Sequence, residues 1–305
     1  MRLFMSEYDV IVYGTIALDA IWRVQELPAP GGYAPILEQR EMIGGEACNT
    51  AIALTRWGVR VALVGNAIGN DEHGSLLREL LARDAPDLDT RYIRTLPDAQ
   101  TPYCVCIATP DGERTMYGTS FHDWQCAVLD PDLARSARFF TMEPNAWEAG
   151  RQAAQIAASA GASVVAMDYT RDPGINRIAA INLTSHTELP GSTSWQEWSD
   201  YAFDLRGTYG PTAIVTCGPQ GCLVAEAGKT GKAVHVPAYV APVMVDGTGC
   251  GDVFRAGLIY GQLQEWELLR SVRFASAAAA LNCGAMGGWG GVRSVSEIEV
   301  FQREG

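Results

Sequence analysis

The stretch Val245-Asp246-Gly247-Thr248-Gly249-Cys250-Gly251-Asp252-Val253-Phe254 sets three glycines in five positions and closes them with an aspartate. Such a run exposes consecutive backbone N–H groups that no side chain shields. A helix beginning near Gly251 adds the positive end of its dipole to those donors, and the combination is an anion site. Asp252 then stands in the first turn, beside the anion. A carboxylate there repels a phosphate, so it needs another task, and the chemistry open to it is taking a proton from a nucleophile. The competing reading is a tight glycine turn with a helix-capping aspartate. The density of glycines favours the anion site.

Other residues suggest ligands more weakly. Asp19 interrupts an apolar run just after the first strand, where a carboxylate commonly holds hydroxyls; surface exposure is the alternative. Gly44-Gly45 and Asn49 put a flexible turn and a polar amide at the mouth of a helix, although Asn is also a common N-cap. Thr216-Cys217-Gly218-Pro219-Gln220-Gly221 follows a strand directly, and open α/β sheets bind ligands beyond the carboxyl ends of their strands. Taken alone, it reads as a Gly-Pro turn into Cys222-Leu223-Val224. Gly228-Lys229-Thr230 imitates the end of a P-loop, but six residues separate Gly221 from Gly228 where that motif has four. It also falls in a hairpin turn, and is rejected. His73, His122, His186 and His235 show no triad or metal spacing and read as structural or surface residues, and no Gly-x-Ser-x-Gly elbow is present.

The elements that must position these residues alternate. Tyr8 to Tyr13 reads as a buried strand, Ala51 to Trp57 as a helix, Val61 to Val64 as a strand and Asp71 to Arg83 as an amphipathic helix. Strand and helix resume at Arg138 to Met142, Trp147 to Ala160, Ser163 to Asp168 and Ala213 to Thr216. Two helices end the pattern, Asp252 to Leu263 and Glu267 to Met286. Repeated βα units predict a central, mostly parallel sheet flanked by helices. Two segments break the rhythm. Residues 15–42 are interrupted by Pro28, Pro30, Gly31 and Gly32, and read as extended structure outside the main core. Residues 101–121 read as a hairpin, Tyr103 to Ala108 and Glu113 to Tyr117 about the turn Pro110-Asp111-Gly112. Together they predict a separate small β-sheet.

Composition narrows the class. The 305 residues hold 23 Lys plus Arg against 35 Asp plus Glu, a net charge of −12. A chain this acidic, without a basic cluster, is a poor partner for nucleic acid or anionic membranes. The eight cysteines are scattered, with no C-x-x-C pair, and read as buried free thiols in a reducing cytosol. Glu7 and Asp9 interrupt the apolar residues of the N-terminus, so no signal peptide is read, and the expected location is cytoplasmic. No apolar run approaches the length of a membrane span.

Taken together, these motifs resemble the ribokinase-like (PfkB) family of carbohydrate kinases, in that family's order and over nearly the whole chain, read as one domain over 1–305. Asp246-Gly247-Thr248-Gly249-Cys250-Gly251-Asp252 is similar to its C-terminal signature, usually Asp-Thr-x-Gly-Ala-Gly-Asp. Gly44-Gly45-x-x-x-Asn49-x-Ala51 resembles its N-terminal signature, Thr216-x-Gly218-x-x-Gly221 its nucleotide loop, and Asp111-Gly112-Glu113-Arg114-Thr115 its lid hairpin. The resemblance implies an α/β core with a β-sheet lid at about 15–42 and 101–121, and transfer of the γ-phosphate of ATP to a sugar-like hydroxyl. It implies Asp252 as base, with the amides of Gly249, Cys250 and Gly251 as the anion hole. Asp19, Gly44, Gly45, Glu46, Asn49 and Arg114 fall on the acceptor side. Thr216, Gly218, Gly221, Thr248 and Asn282 fall on the nucleotide side. Glu46 can accept hydrogen bonds from hydroxyls, and its charge disfavours an anionic sugar acid.

Several positions depart from the family pattern. Gly247 stands for Thr, Cys250 for Ala, and Arg255 for a small residue. The family's Asn-x-x-Glu, tied to Mg2+ and phosphate, survives as Ser185-His186-Thr187-Glu188, with Glu188 in register. Asp168-Tyr169-Thr170-Arg171 half-matches a segment of some sugar-acid kinases. The implied partners are a sugar-like acceptor, ATP with Mg2+, and a second copy of the chain through the lid; dependence on a monovalent cation such as K+ is left open. The leading expectation is a sugar or polyol kinase. A nucleoside kinase of the same family, or a catalytically weak sugar or nucleotide sensor, are the alternatives.

Overall fold

A computed structural model describes residues 7–110, 114–121, 125–189, 191 and 193–304. The chain opens with β1 (Tyr8–Gly14), β2 (Ala17–Val24), β3 (Ile36–Gly44), α1 (Glu46–Arg56), β4 (Val61–Gly65), β5 (Ile68–Gly69) and α2 (Glu72–Asp84). Next come β6 (Thr95–Leu96), β7 (Tyr103–Ala108), β8 (Arg114–Thr119), α3 (Pro131–Arg135), β9 (Ala137–Met142), α4 (Trp147–Ser159), β10 (Ser163–Met167) and α5 (Pro173–Ile178). It ends with β11 (Ala179–Ser185), α6 (Trp195–Tyr209), β12 (Thr212–Thr216), β13 (Cys222–Ala225), β14 (Val234–Val236), α7 (Cys250–Leu263), α8 (Leu268–Asn282) and α9 (Val295–Glu304).

The large sheet runs β14-β13-β12-β11-β10-β9-β1-β4, parallel from β12 to β4 and antiparallel at β13 and β14. Its alternation is visible in β1. Val10 and Val12 pack with Ile52, Leu54, Phe254 and Phe274 on one face. Ile11 and Tyr13 pack with Phe140, Ala153 and Ala157 on the other. A strand covered on both faces has to be apolar throughout, as this one is. The chain leaves β1 toward β4 and later returns to β1's other side with β9, which creates a switch point beside β1, where sheets of this kind bind ligands.

The small sheet has the order β3-β2-β7-β8, with β2 and β7 parallel and the outer pairs antiparallel. Register sets Asp19 beside Met42 and Cys104, and Ile21 beside Arg40 and Cys106, so these side chains share one face. The expected break from βα alternation is thus realised, although β2 is more deeply buried than its Pro/Gly-rich surroundings suggest. The turn residues Asp111-Gly112-Glu113, and His122, lie outside the described residues.

Two helix ends differ from expectation. α1 starts five residues earlier than Ala51, at Glu46, because Gly45 serves as its N-cap at φ +92°. A Cβ on Gly45 would stand 2.4 Å from the Thr15 carbonyl oxygen, so only glycine lets α1 approach β1 this closely. α8 stops at Asn282 rather than Met286, because the Asn282 amide turns to hold the glycine-rich chain that follows. β11 and α6 escaped the periodicity reading. β11 (AAINLTS) is diluted by Ala and Asn, and α6 is opened by a Ser194–Glu197 capping box rather than marked by a clean apolar stripe. Among the described residues no helix is long and apolar enough to cross a membrane. All eight cysteines are free; Cys104, Cys126 and Cys250 are only partly buried.

Candidate active site

The carboxyl ends of the parallel strands supply most of the polar residues. Thr15 follows β1, Asn66 follows β4, Glu143 follows β9, Asp168 follows β10, and the turn at Gly218–Gly221 follows β12. Asn66 locks the passage from β1 to β2: its Oδ1 accepts from Ile16 N (2.8 Å) while Nδ2 donates to Ile16 O (3.0 Å).

The glycine loop is stapled from within. Asp246 is fully buried, and its carboxylate accepts from Thr248 N (2.8 Å), Thr248 Oγ1 (2.6 Å) and Gly287 N (2.8 Å). Asn282 donates to Thr248 O (3.3 Å) and Gly288 O (3.2 Å) and accepts from Gly291 N (3.1 Å). Gly249 caps α7 at φ +71°, and a Cβ there would lie 2.1 Å from Gly288 O. The first-turn amides of a helix lack carbonyl partners inside it. Cys250 N reaches only Gly247 O at 3.5 Å, and Val253 N closes the first good bond, to Gly249 O at 2.9 Å. The loop therefore presents donors at the positive end of α7. The Cys250 thiol fits the small-residue position, 2.9 Å from the Cys283 thiol. Gly251 packs on Met167 at the end of β10, which sets α7's start over the middle of the large sheet.

Asp252, 5% exposed, stands in that first turn. Its Oδ2 accepts from Asn49 Nδ2 (2.9 Å), and its Oδ1 from Arg255 Nη2 (3.3 Å). Asn49 is thus not a cap but lies inside α1 with its amide turned to the carboxylate. Burial pushes the Asp252 carboxyl up to about 6, against the opposing pull of Arg255 and Asn49. Asp19 is pushed up to about 7, by burial and then by the charges of Asp246 and Asp252. A Cβ on Gly44 would fall 2.0 Å from the Asp19 carboxyl carbon, so the bare glycine makes room for that side chain. Glu46 is held well above the usual carboxylate range by burial among protein groups and by the charges of Glu143 and Asp252. Its Oε1 accepts from Asn145 Nδ2 (3.1 Å).

Glu143 is the residue that reasoning from sequence missed. It is fully buried and accepts from Thr15 N (2.6 Å), Thr15 Oγ1 (2.7 Å) and Asn145 N (2.6 Å). Burial raises it, and those hydrogen bonds and Arg255 pull it back. Its signal was present: a carboxylate one residue beyond an apolar strand, where ligands bind. Asp168 is similar. At φ +60° it accepts from Thr184 Oγ1 (2.7 Å) and Ser185 N (3.0 Å), and burial raises its carboxyl.

The structure brings Asp19, Gly44, Gly45, Glu46 and Asn49 together around Asp252. Arg114, exposed at the start of β8, acts on Asp252 through its charge. Thr216, Gly218 and Gly221 stand apart, at the end of β12. Thr216 Oγ1 donates to Thr184 O (3.3 Å), and Gly221, at φ +94°, lies where a Cβ would meet Val236 O at 2.1 Å. The side chains of Thr248 and Asn282 are engaged inside the glycine loop. Glu188 is exposed, in a short turn after β11, and acts on Asp168 through its charge. Among the described residues no group of three or more His, Cys, Asp or Glu side chains could hold a metal ion. His73 stacks on Tyr103, and His186 and His235 bond main-chain carbonyls, as structural histidines do.

A helix start rich in free donors thus lies between a bowl of carboxylates and a glycine turn at a strand end, on a parallel sheet with a separate small sheet. That arrangement defines an α/β phosphotransferase. The family model described as "pfkB family carbohydrate kinase" matches residues 8–292, and the chain belongs to that family. It is accordingly a phosphotransferase with an alcohol group as acceptor. It is 27% identical over 292 residues to a nucleoside kinase of Methanothermobacter thermautotrophicus, covering 90% of each chain. It is 27% identical over 297 residues to an ATP-dependent ribose-1-phosphate kinase of Halopiger xanaduensis, covering 91% of this chain and 93% of that one. Its fold matches the Arabidopsis thaliana ribokinase solved with ribose and ATP at a TM-score of 0.82, with 20% identity over 97% of this chain and 99% of that one.

Proposed function

We propose that the protein transfers the γ-phosphate of ATP to a hydroxyl of a neutral sugar, polyol or nucleoside, with Asp252 taking the hydroxyl proton. The observation that carries this reading is the position of Asp252, buried at the start of α7 between the glycine-loop amides and the carboxylates Asp19, Glu46 and Glu143. A group with its proton affinity near 6 is ionised at neutral pH yet still able to accept a proton as a new bond to phosphorus forms. The amides of Gly249, Cys250 and Gly251 stabilise charge on the phosphoryl group in transit, the main protein contribution in this chemistry.

Carboxylates are hydroxyl acceptors, and so many of them repel an anion. This argues against a sugar acid, and against an acceptor already carrying phosphate, such as the one in the name of the Halopiger relative. A nucleoside stays alongside a sugar, because both are neutral and the Methanothermobacter relative bears that name. A sensor has no need of a carboxylate built so firmly beside the phosphate site. For ATP, the Thr216–Gly221 turn and the loop amides fit as nucleotide and phosphate contacts. Magnesium keeps water and phosphate ligands and often needs only one or two carboxylates, which suits a site without a cage; Glu188 is the side chain offered. When bound, the ion neutralises phosphate charge.

The small sheet acts as a lid in this reading: its Asp19 face looks onto the site, and closing it excludes water. Its opposite face carries Trp22, Val105 and Tyr117, a surface suited to a second copy of the chain. ADP release, coupled to a reporter and measured over neutral sugars, nucleosides, sugar acids and sugar phosphates, tests the acceptor class. A neutral acceptor should be turned over best. A preferred anionic acceptor contradicts the charge argument, and no turnover with any acceptor favours the sensor.

A further inference from the structure

Arg255 is the largest fully buried side chain and, among the described residues, the only buried Lys, Arg or His. A guanidinium out of reach of solvent is costly to bury unless it is paired. It spans two helices. From α7 its Nε and Nη2 donate to Thr50 Oγ1 (3.0 and 2.7 Å), and Nη2 also donates to Glu46 O (2.9 Å), both on α1. The same Nη2 lies 3.3 Å from Asp252 Oδ1, one turn back on α7. Nη1 is buried and has no hydrogen-bond partner among the described residues, so the group is held here by charge as well as by bonds.

The charge has much to answer. Asp252 is faced by Asp19 from β2, Glu46 and Cys48 from α1, Arg114 from β8 and Glu143 beyond β9. Asp168, beyond β10, also lies within reach of Arg255. Arg114 is exposed and screened by solvent, which leaves Arg255, among the described residues, as the one buried cation set against these acids.

We propose that Arg255 is a positioning residue for the reaction: anchored on Thr50 and the Glu46 main chain, it orients the Asp252 carboxylate and keeps it ionised among neighbouring acids. This rests on Asp252 being the base. Without Arg255, every remaining buried charge near Asp252 is negative, so its proton is held more tightly and the base is lost over a wider range of acid pH.

The test is the pH dependence of kcat/KM for the best acceptor, in wild type and in Arg255→Met, Arg255→Gln and Arg255→Lys. The wild-type rate should rise with pH through a midpoint near the Asp252 value of about 6. In the Met and Gln variants that midpoint should move up by about one pH unit, a tenfold gain in proton affinity. Nucleotide affinity should be unchanged, and in Arg255→Lys the midpoint should return most of the way to the wild-type value. A folded Met or Gln variant with an unmoved midpoint overturns the proposal, because a merely structural arginine would lower the melting temperature and leave the profile in place. Should neither uncharged variant fold, Arg255→Lys decides. With charge kept and the fork on Thr50 lost, the midpoint should stay and kcat should fall at constant acceptor KM; an unchanged kcat overturns the orienting role. Asp252→Asn separates the two claims. If it keeps turnover, the base assignment fails; if it is inactive while the Arg255 variants show no shift, only the role of Arg255 fails.

Discussion

Gly44 has no side chain because the Asp19 carboxylate occupies the place one would fill. Gly44→Ala should therefore push Asp19 out of position and raise the acceptor KM by roughly tenfold or more, the cost of one good hydrogen bond to a charged group. Nucleotide affinity should not change, because the glycine loop is stapled separately by Asp246 and Asn282. Calorimetry with nucleotide and steady-state kinetics with acceptor distinguish these effects. An unchanged acceptor KM would place the acceptor elsewhere. At this scale the sequence was most legible where residue type and spacing carry the chemistry. Asp252, Asn49 and the glycines stand out by type alone. Glu143 and Arg255 do not: Glu143 offers only its place one residue past an apolar strand, Arg255 only its departure from the family pattern, and neither shows its burial until the chain is folded.

At the scale of elements, the small sheet is the part to test. Its two departures from βα rhythm were readable because Pro and Gly clusters interrupt helix periodicity, and Cys104-Val105-Cys106 alternates as a strand does. What stayed hidden was pairing: that β2 lies parallel to β7, and so presents Asp19 on the inner face and Trp22 on the outer, is a long-range fact. α8 was read too long for a related reason, since Ala-rich helical propensity continues past Asn282 while tertiary bonds end the helix there. If the outer face joins two copies, Tyr117→Asp should turn a dimer into a monomer in light scattering while leaving the melting temperature nearly unchanged. A wild-type protein that is monomeric at all concentrations removes the dimer. Protease cleavage between β2 and β3 should also slow when nucleotide and acceptor are both present; equal cleavage with and without them would make this segment an ordinary loop.

The whole molecule carries an unusual charge balance inside its cleft. Asp19 and Asp252 are raised to about 7 and about 6, and Glu46, Glu143 and Asp168 are raised as well. Each binds a proton more tightly folded than unfolded. Between the unfolded value near pH 4 and the folded values, the unfolded chain therefore holds fewer protons, and stability falls as pH rises. Asp9, Asp71, Asp89 and Asp172 are lowered by their partners and act oppositely, but their gain is complete at lower pH. The ligand-free protein should thus melt at a higher temperature near pH 5 than near pH 7.5, by several degrees, and Asp19→Asn should flatten that slope. A melting temperature that rises over this range would mean the acids are ionised and satisfied in the fold. The order of the motifs along the chain made the architecture legible, since strand–turn–helix units in sequence leave few topologies open. The clustering of acids from β2, from α1 and from just beyond β9 and β10 did not show, because residues far apart along the chain meet only in the folded sheet.

The central claim is that Asp252 removes the proton from the acceptor hydroxyl. It is tested most directly by Asp252→Asn, which keeps size and the hydrogen bond from Asn49 within reach but cannot accept the proton. Turnover on the best acceptor should fall by on the order of 10²–10⁴. Nucleotide affinity, measured by calorimetry on the same protein, should be retained or slightly tighter, because a negative charge beside the phosphates is gone. A variant that turns over at close to the wild-type rate would contradict the account.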